Sequence, residues 1–140
     1  MTIAHLTDDA ALTAFFPVIS QLRPHLTPAT LVERVRRQEQ QGYRPVGLYD
    51  NTRAPRAYAG YRFMETLFSG PVIYVDDLVT DAAARSTGCG KTLLKWLIEL
   101  GRREGCATLE LDSGVQRFAA HRFYFRERLE IEGYHFRLRL

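Results

Sequence analysis

Apolar positions in the first third of the chain recur at helical spacing. Leu12, Phe15, Phe16 and Ile19 form one stripe, Leu31 and Val35 another, and the period of about 3.6 predicts two amphipathic helices. Thr7 reads as the N-cap of the first, with Asp8 and Asp9 in its first turn, where carboxylates suit the helix dipole. Thr27 followed by Pro28 opens the second, and Gly42 stops it. "TIAHL" ahead of them is a short strand. The period then drops to two: "YRPVGLYD" and "RAYAGYRFMETL" alternate as strands around a turn at "DNTRAP", with Pro45 pointing to an edge or a bulge. "VIYVDDLVT" follows "FSGP" as a strand rich in β-branched residues. Helical spacing returns with Leu93, Leu94, Leu97 and Ile98, from Gly90 to about Arg103 and ending before Gly105. "ATLELD" is the next strand. Ser113 and Gln116 make a capping box for a helix through "RFAAHRFYFRER". The tail alternates Tyr134, Phe136, Leu138 and Leu140 against His135, Arg137 and Arg139, which predicts a final strand.

The order is therefore strand, two helices, three strands, helix, strand, helix, strand: a mixed α/β chain with no repeat, linker or low-complexity tract. One domain over residues 1–140 is expected, long enough to bury roughly two-thirds of its unfolded surface. With 46% hydrophobic and 25% charged residues the composition is that of an ordinary globular protein. No apolar run reaches the roughly 20 residues of a membrane span, and Met1 to Ser20 lacks a basic start with an unbroken apolar core, so a cytoplasmic protein without a membrane partner is expected. Cys89 and Cys106 make neither a disulfide framework nor a metal spacing. The net charge of +3 rests on arginine, Lys occurring only at 91 and 95, and no long basic run argues for nucleic acid. An arginine-rich solvated surface accounts for most of this charge; a few arginines around a phosphorylated ligand would need a site.

"ARSTGCGKTLL", Ala84 to Leu94, supplies one. A Walker A loop needs Gly five positions before its Gly-Lys pair, and that position is Arg85, which gives neither the tight turn nor the room. Read as Arg-x-x-Gly-x-Gly, the residues are Arg85, Gly88 and Gly90. Successive amides from Ser86 to Lys91, opening a helix, aim donors and a positive dipole end at a pyrophosphate.

In that setting, between "YVDDLVTD" and a long amphipathic helix, the chain resembles the GNAT superfamily of acyl-CoA-dependent N-acyltransferases. The resemblance runs from "TIAHLTDDAA" to "GYHF" and is strongest from Tyr74 to Phe136, including "SGVQRFAAHRFYFRERL". It implies a mixed, mostly antiparallel sheet flanked by helices, whose fourth and fifth strands splay around an acyl-CoA site. It implies acetyl-CoA as acyl donor, no metal, and CoA contacts from Arg85, Ser86, Thr87, Gly88, Cys89, Gly90 and Lys91, with Ser113 and Phe123. The thioester would lie beside Leu78, Val79 and Thr80, where a backbone amide meets its carbonyl oxygen.

Transfer to an amine requires a neutral amine, a stabilised oxyanion and protonation of the departing thiolate. The family often supplies the last from a tyrosine in an Ala-x-x-Phe-Tyr context, matched by Ala120 to Tyr124. Some members carry an acidic base at the position of Asp76. Asp76 and Asp77 are adjacent on a strand, so simple alternation sends them to opposite faces and only one toward the cleft; Glu65 on the preceding strand is an alternative base. His121 reads as a solvated surface residue, His135 as a polar-face residue able to reach a substrate, and Cys89 as a small buried hydrophobe.

One departure is clear. The family's Leu-Gly-Phe turn after the tyrosine helix reads Leu129, Glu130 and Ile131 here. A glutamate is strained at positive φ, so the helix is expected to run on, with Gly133 making the turn. The leading expectation is an N-acetyltransferase acting on a primary amine by direct attack in a ternary complex, the alternatives being a non-catalytic acyl-CoA-binding module and, third, a nucleotide-binding switch. The acceptor is open among polyamines, aminoglycosides, amino acids and protein amines, and a homodimer is a reasonable expectation for a small member.

Overall fold

The computed structural model describes all residues, Met1 to Leu140. Its elements are β1 (Thr2–His5), α1 (Asp9–Leu22), α2 (Pro28–Glu39), β2 (Arg44–Tyr49), β3 (Pro55–Thr66), β4 (Gly70–Thr80), a 3-10 turn (Ala82–Ala84), α3 (Cys89–Arg103), β5 (Thr108–Leu111) and α4 (Phe118–Arg126). The chain divides into two compact units, Met1–Glu110 and Leu111–Leu140.

The strands form one sheet in the order β1-β2-β3-β4-β5, antiparallel up to β4 and parallel between β4 and β5. Mostly antiparallel pairing is thus as expected for the strands that form. Pro45 lies in β2, an interior strand, but just beyond the last paired residues His5 and Val46; its carbonyl takes the Leu6 N–H at 3.0 Å, so its missing donor falls at the very end of the β1–β2 ladder, opposite Leu6. The β2–β3 turn is closed by Asp50, whose carboxylate accepts from the Thr52 and Ala54 amides and from Arg56.

On one face of the sheet, Leu12, Phe15 and Ile19 of α1 and Leu31 and Val35 of α2 pack with Tyr58 and Val79. On the other, α3 buries Leu93, Leu94 and Leu97 completely, and its Gly101 sits so close to β4 that a Cβ there would be 2.7 Å from Ile73 Cγ2. Burying one branched side chain of this size contributes about 1.5–3 kcal/mol, which exceeds any propensity effect in these helices.

Helix α2 starts as expected: Thr27 caps it, Pro28 follows, and Thr30 completes a reciprocal box. Gly42, at φ 88°, turns the chain after it. Helix α1 starts one residue later than expected. Asp8, not Thr7, is the N-cap, its carboxylate accepting from the Ala11 amide at 2.7 Å. A charged acceptor at the positive end of the dipole outcompetes a hydroxyl.

In the second unit the box expected from Ser113 and Gln116 does not form. Helix α4 opens at Phe118 with Arg117 as an N-cap whose side chain makes no capping bond, because the chain first turns through Gly114, whose carbonyl accepts from Arg117 N–H at 3.1 Å. Nor does α4 run on to Gly133. It closes in a Schellman motif: Leu129 N–H donates to Tyr124 O at 2.9 Å, Arg128 N–H to Phe125 O at 3.0 Å, and Arg128 takes the left-handed position at φ 67°. Glu130 is thereby spared positive φ. The tail expected as a strand forms none; Ile131 to Leu140 are exposed and unpaired. Alternation creates an amphipathic ribbon, but a strand exists only against a partner edge.

Candidate active site

The site in the first unit begins with an irregularity in β4. Gly60 pairs with Asp77, but the next residue of β3, Tyr61, pairs with Val75. Asp76 is therefore the extra residue of a β-bulge. Before and after it the alternation is regular, so Tyr74, Asp77 and Val79 share the face of α1 and α2 while Ile73, Val75 and Leu78 share that of α3.

The bulge overturns the expectation that the two aspartates face opposite ways. Asp77 receives the Arg23 Nε–H on Oδ1 and the Tyr43 hydroxyl on Oδ2, both at 2.8 Å. Asp76 is gripped by Arg62, through Nε at 3.0 Å and Nη2 at 2.8 Å. The Arg62 guanidinium in turn lies over the Tyr43 ring, 5.8 Å from its centroid. Both carboxylates thus belong to one network on one face. Tyr43 spends its proton on Asp77, so the 2.7 Å contact between the Tyr43 and Tyr58 oxygens is donated by Tyr58. Gly60 makes room for this: a Cβ there would lie 1.8 Å from the Tyr43 oxygen.

The electrostatics follow from burial. Desolvation raises the Asp76 pKa, opposed by the hydrogen bonds and charge of Arg62. Burial also raises both phenols, Tyr58 and Tyr43, and the carboxylate of Asp77 adds to it. They remain protonated donors across the neutral range. Glu65 takes no part. It is exposed and sits opposite Pro71, at the hairpin end of the β3–β4 ladder.

Beyond the bulge, β4 loses its neighbour on one side. The chain enters β5 where Ala107 N–H donates to Pro71 O at 2.8 Å, and β5 is four residues long, so in parallel register it reaches no further than Val75. Asp81 N–H donates to Arg56 O on the β3 side. By alternation Val79 also points to β3, while the amides of Leu78 and Thr80 point to the unpaired side. This is the splay expected of the fourth and fifth strands, and it leaves backbone donors at Leu78 and Thr80.

The glycine loop follows directly. Asp81 caps the 3-10 turn, Ser86 adopts φ 64° and Gly88 φ 88°, and Gly88 is the N-cap of α3 with no side-chain cap bond. The first α-helical bond is Thr92 N–H to Gly88 O at 2.9 Å, so the amides of Gly88, Cys89 and Gly90 precede any intrahelical acceptor. A Cβ on Gly88 would meet nothing within 4 Å, leaving the approach to those amides open. Arg85, Ser86 and Thr87 are exposed around it, as is Lys91. Cys89 is buried, 3% exposed, as expected, and its Sγ also shares a hydrogen bond with Thr87 Oγ1 at 3.2 Å. Open amides at a left-handed glycine and a helix N-terminus fit a pyrophosphate.

The second unit holds the remaining expected residues. Tyr124 is buried, with Phe123 tilted against it at 5.6 Å between centroids. Burial raises its pKa, and the Arg117 guanidinium pulls partly the other way. His121 is not simply solvated: its Nε2 lies 2.8 Å from Gly114 O and ties the loop before α4 to the helix. Ser113 Oγ is buried and makes no hydrogen bond within the chain. His135 lies 3.5 Å from Asp112.

Tyr43, Tyr58, Arg23 and Arg62 were not singled out by the sequence. Only for Arg62 was there a signal, its place across the hairpin from the acidic pair.

The family model described as "Acetyltransferase (GNAT) family" matches residues 10–129. The chain is 36% identical over 134 residues, 94% of each sequence, to the uncharacterized N-acetyltransferase YhdJ of Bacillus subtilis. Its fold is similar to that of an acetyltransferase from Trypanosoma brucei (TM-score 0.79, 22% identity, 99% of each chain). It is also similar to the ribosomal-protein-alanine N-acetyltransferase from Brucella melitensis (TM-score 0.82, 13% identity, 100% of each). A third similar fold is the aminoglycoside N-acetyltransferase AAC(6')-Iy in complex with CoA (TM-score 0.83, 14% identity, 99% of this chain and 93% of that one). With its bulged fourth strand, its early-ending fifth and its glycine loop at a helix start, the chain belongs to the GNAT family of acetyltransferases.

Proposed function

We propose that the protein is an acetyl-CoA-dependent N-acetyltransferase that acetylates a primary amine by direct attack within a ternary complex. The observation that carries the reading is the adjacency, within one strand-loop-helix segment, of unpaired β4 amides at Leu78 and Thr80 and open helix-start amides at Gly88 to Gly90. The first pair suits a carbonyl oxygen and the second a pyrophosphate. Acetyl-CoA, when bound, supplies a thioester carbonyl open to a nitrogen nucleophile.

The chain's own residues then divide the work. Backbone N–H groups at Leu78 and Thr80 stabilise the charge that develops on the carbonyl oxygen. Amides of the 85–91 loop, with Arg85 and Lys91, hold the phosphates. Asp76, whose pKa is raised by desolvation, accepts the proton the amine must lose. Tyr124, kept protonated by its burial, donates to the departing thiolate.

Release of free thiol from acetyl-CoA, followed over a broad panel of amines, tests this. Amine-dependent thiol release is expected. Binding of acetyl-CoA with no release for any amine would instead make the chain a binding module.

A further inference from the structure

The acceptor can be narrowed from the charge arrangement at the bulge; this rests on the N-acetyltransferase reading above. Two carboxylates, Asp76 and Asp77, and two guanidinium groups, Arg62 and Arg23, meet there. Each carboxylate is taken: Asp76 by a two-point grip from Arg62, Asp77 by Arg23 and the Tyr43 hydroxyl. Asp76, Asp77 and Arg62 expose only 19%, 16% and 18% of their side chains, whereas Arg23 exposes 42%. What an arriving acceptor meets is therefore a guanidinium and not a free carboxylate.

Arg23 is also held in place. It is the C-cap of α1, its amide donating to Ile19 O at 2.9 Å. Two residues earlier, Gln21 binds Asp81 Oδ1 at 3.0 Å and the Ala82 amide at 2.8 Å, so the end of α1 is strapped along the second half of β4. The side-on edge of the Arg23 guanidinium is spent on β4: Nε on Asp77 Oδ1 at 2.8 Å and Nη2 on the Asp76 carbonyl at 3.2 Å. Of the five N–H donors of an arginine this leaves the terminal Nη1–Nη2 edge, the planar fork that matches a carboxylate at two points. That edge stands beside the strand one residue before Leu78, where the unpaired amides begin.

We propose that Arg23 is the specificity-determining residue of the acceptor site and that the acceptor is a small amine carrying its own carboxylate, a free amino acid. Its carboxylate docks on the Nη1–Nη2 edge of Arg23, and its nitrogen is presented to the carbonyl carbon beside Leu78. The nitrogen–carbon bond forms and the carbon–sulfur bond breaks. The amine proton goes to Asp76 or water, the thiolate takes a proton from the enzyme, and the products are an N-acetylated amino acid and CoA thiol. A polyamine finds no free negative charge at this position and meets Arg23 instead.

The test compares, by thiol release from acetyl-CoA, the free L-amino acids with their carboxamides, which keep the amine and lose the charge; spermidine and O-phosphoethanolamine are further arms. At least one amino acid should be acetylated with kcat/KM ten times or more that of its carboxamide, the difference lying mainly in KM. Arg23→Gln should collapse that ratio toward one, and Arg23→Lys should keep part of it. Carboxamides or spermidine used as well as the acids, no amino acid used at all, preference for O-phosphoethanolamine, or an unchanged ratio in Arg23→Gln would each overturn the proposal. Acetyl-CoA raising the unfolding midpoint, together with thiol release to any amine of the panel, shows the enzyme reading intact; absence of release to every amine means that reading has failed first.

Discussion

Asp76 and Asp77 are neighbours with different partners, and the difference fixes what each can do. Asp76→Asn should abolish the acid limb of the rate profile or cut kcat strongly, while Asp77→Asn should act mainly on acceptor KM by releasing Arg23. If the two variants behaved alike, the roles read from the bulge would be wrong. The sign of the pH effect follows from the raised Asp76 pKa. The ionised form is the base, so the rate should fall with decreasing pH at a higher pH than the ordinary carboxylate value of 3.8. For stability the same shift works the other way. The folded chain holds that proton more tightly than the unfolded chain, so the contribution is present below the unfolded pKa and is lost as pH rises through the folded one. Tyr124→Phe keeps the ring and deletes the proton; kcat should drop about 10²-fold or more with acetyl-CoA binding little changed. Equal loss of rate and CoA affinity would assign the hydroxyl to the ligand. Arg128 holds a left-handed conformation at φ 67° that glycine adopts without strain. Arg128→Gly should therefore stabilise by about 1 kcal/mol, read by denaturant unfolding; destabilisation would contradict the Schellman closure.

At the scale of elements, what the sequence made legible was what neighbours along the chain decide. Helical spacing located α1, α2 and α3 because their apolar stripes are local, and Thr27-Pro28 located the α2 cap. The misses arose where a choice depended on something else. Thr7 and Asp8 compete for the same amides, and geometry chose the carboxylate. Ser113 lost its box to a turn at Gly114. The tail had the right alternation and no edge to join. The bulge at Asp76 belongs to two strands at once, and its arginine and tyrosine partners lie 54 and 34 residues away from Asp77 in sequence. No periodicity along one strand could announce it. By contrast the glycine loop is a local device, and Arg85, Gly88 and Gly90 were readable as such. Gly60→Ala tests the bulge network as an element: the added Cβ displaces the Tyr43 hydroxyl, and overpacking of this kind costs about 1–3 kcal/mol. Loss of unfolding free energy together with a raised acceptor KM is expected; an unchanged KM would detach the Tyr43–Asp77 bond from acceptor binding.

At the scale of the whole molecule, the proposed activity stands on binding of acetyl-CoA by the loop that opens α3. Its most direct measurement is the thermal unfolding midpoint of the wild-type chain and of Gly88→Val, each with acetyl-CoA and with ATP. At a hundred times the dissociation constant, binding should add about 2.7 kcal/mol to the stability of the wild type. Gly88→Val places a branched side chain at φ 88° in front of the open amides, so its midpoint should start lower and should not respond. A rise with acetyl-CoA, little with ATP, and none in the variant is expected. A wild-type midpoint that acetyl-CoA leaves unmoved, or that ATP raises more, would contradict it.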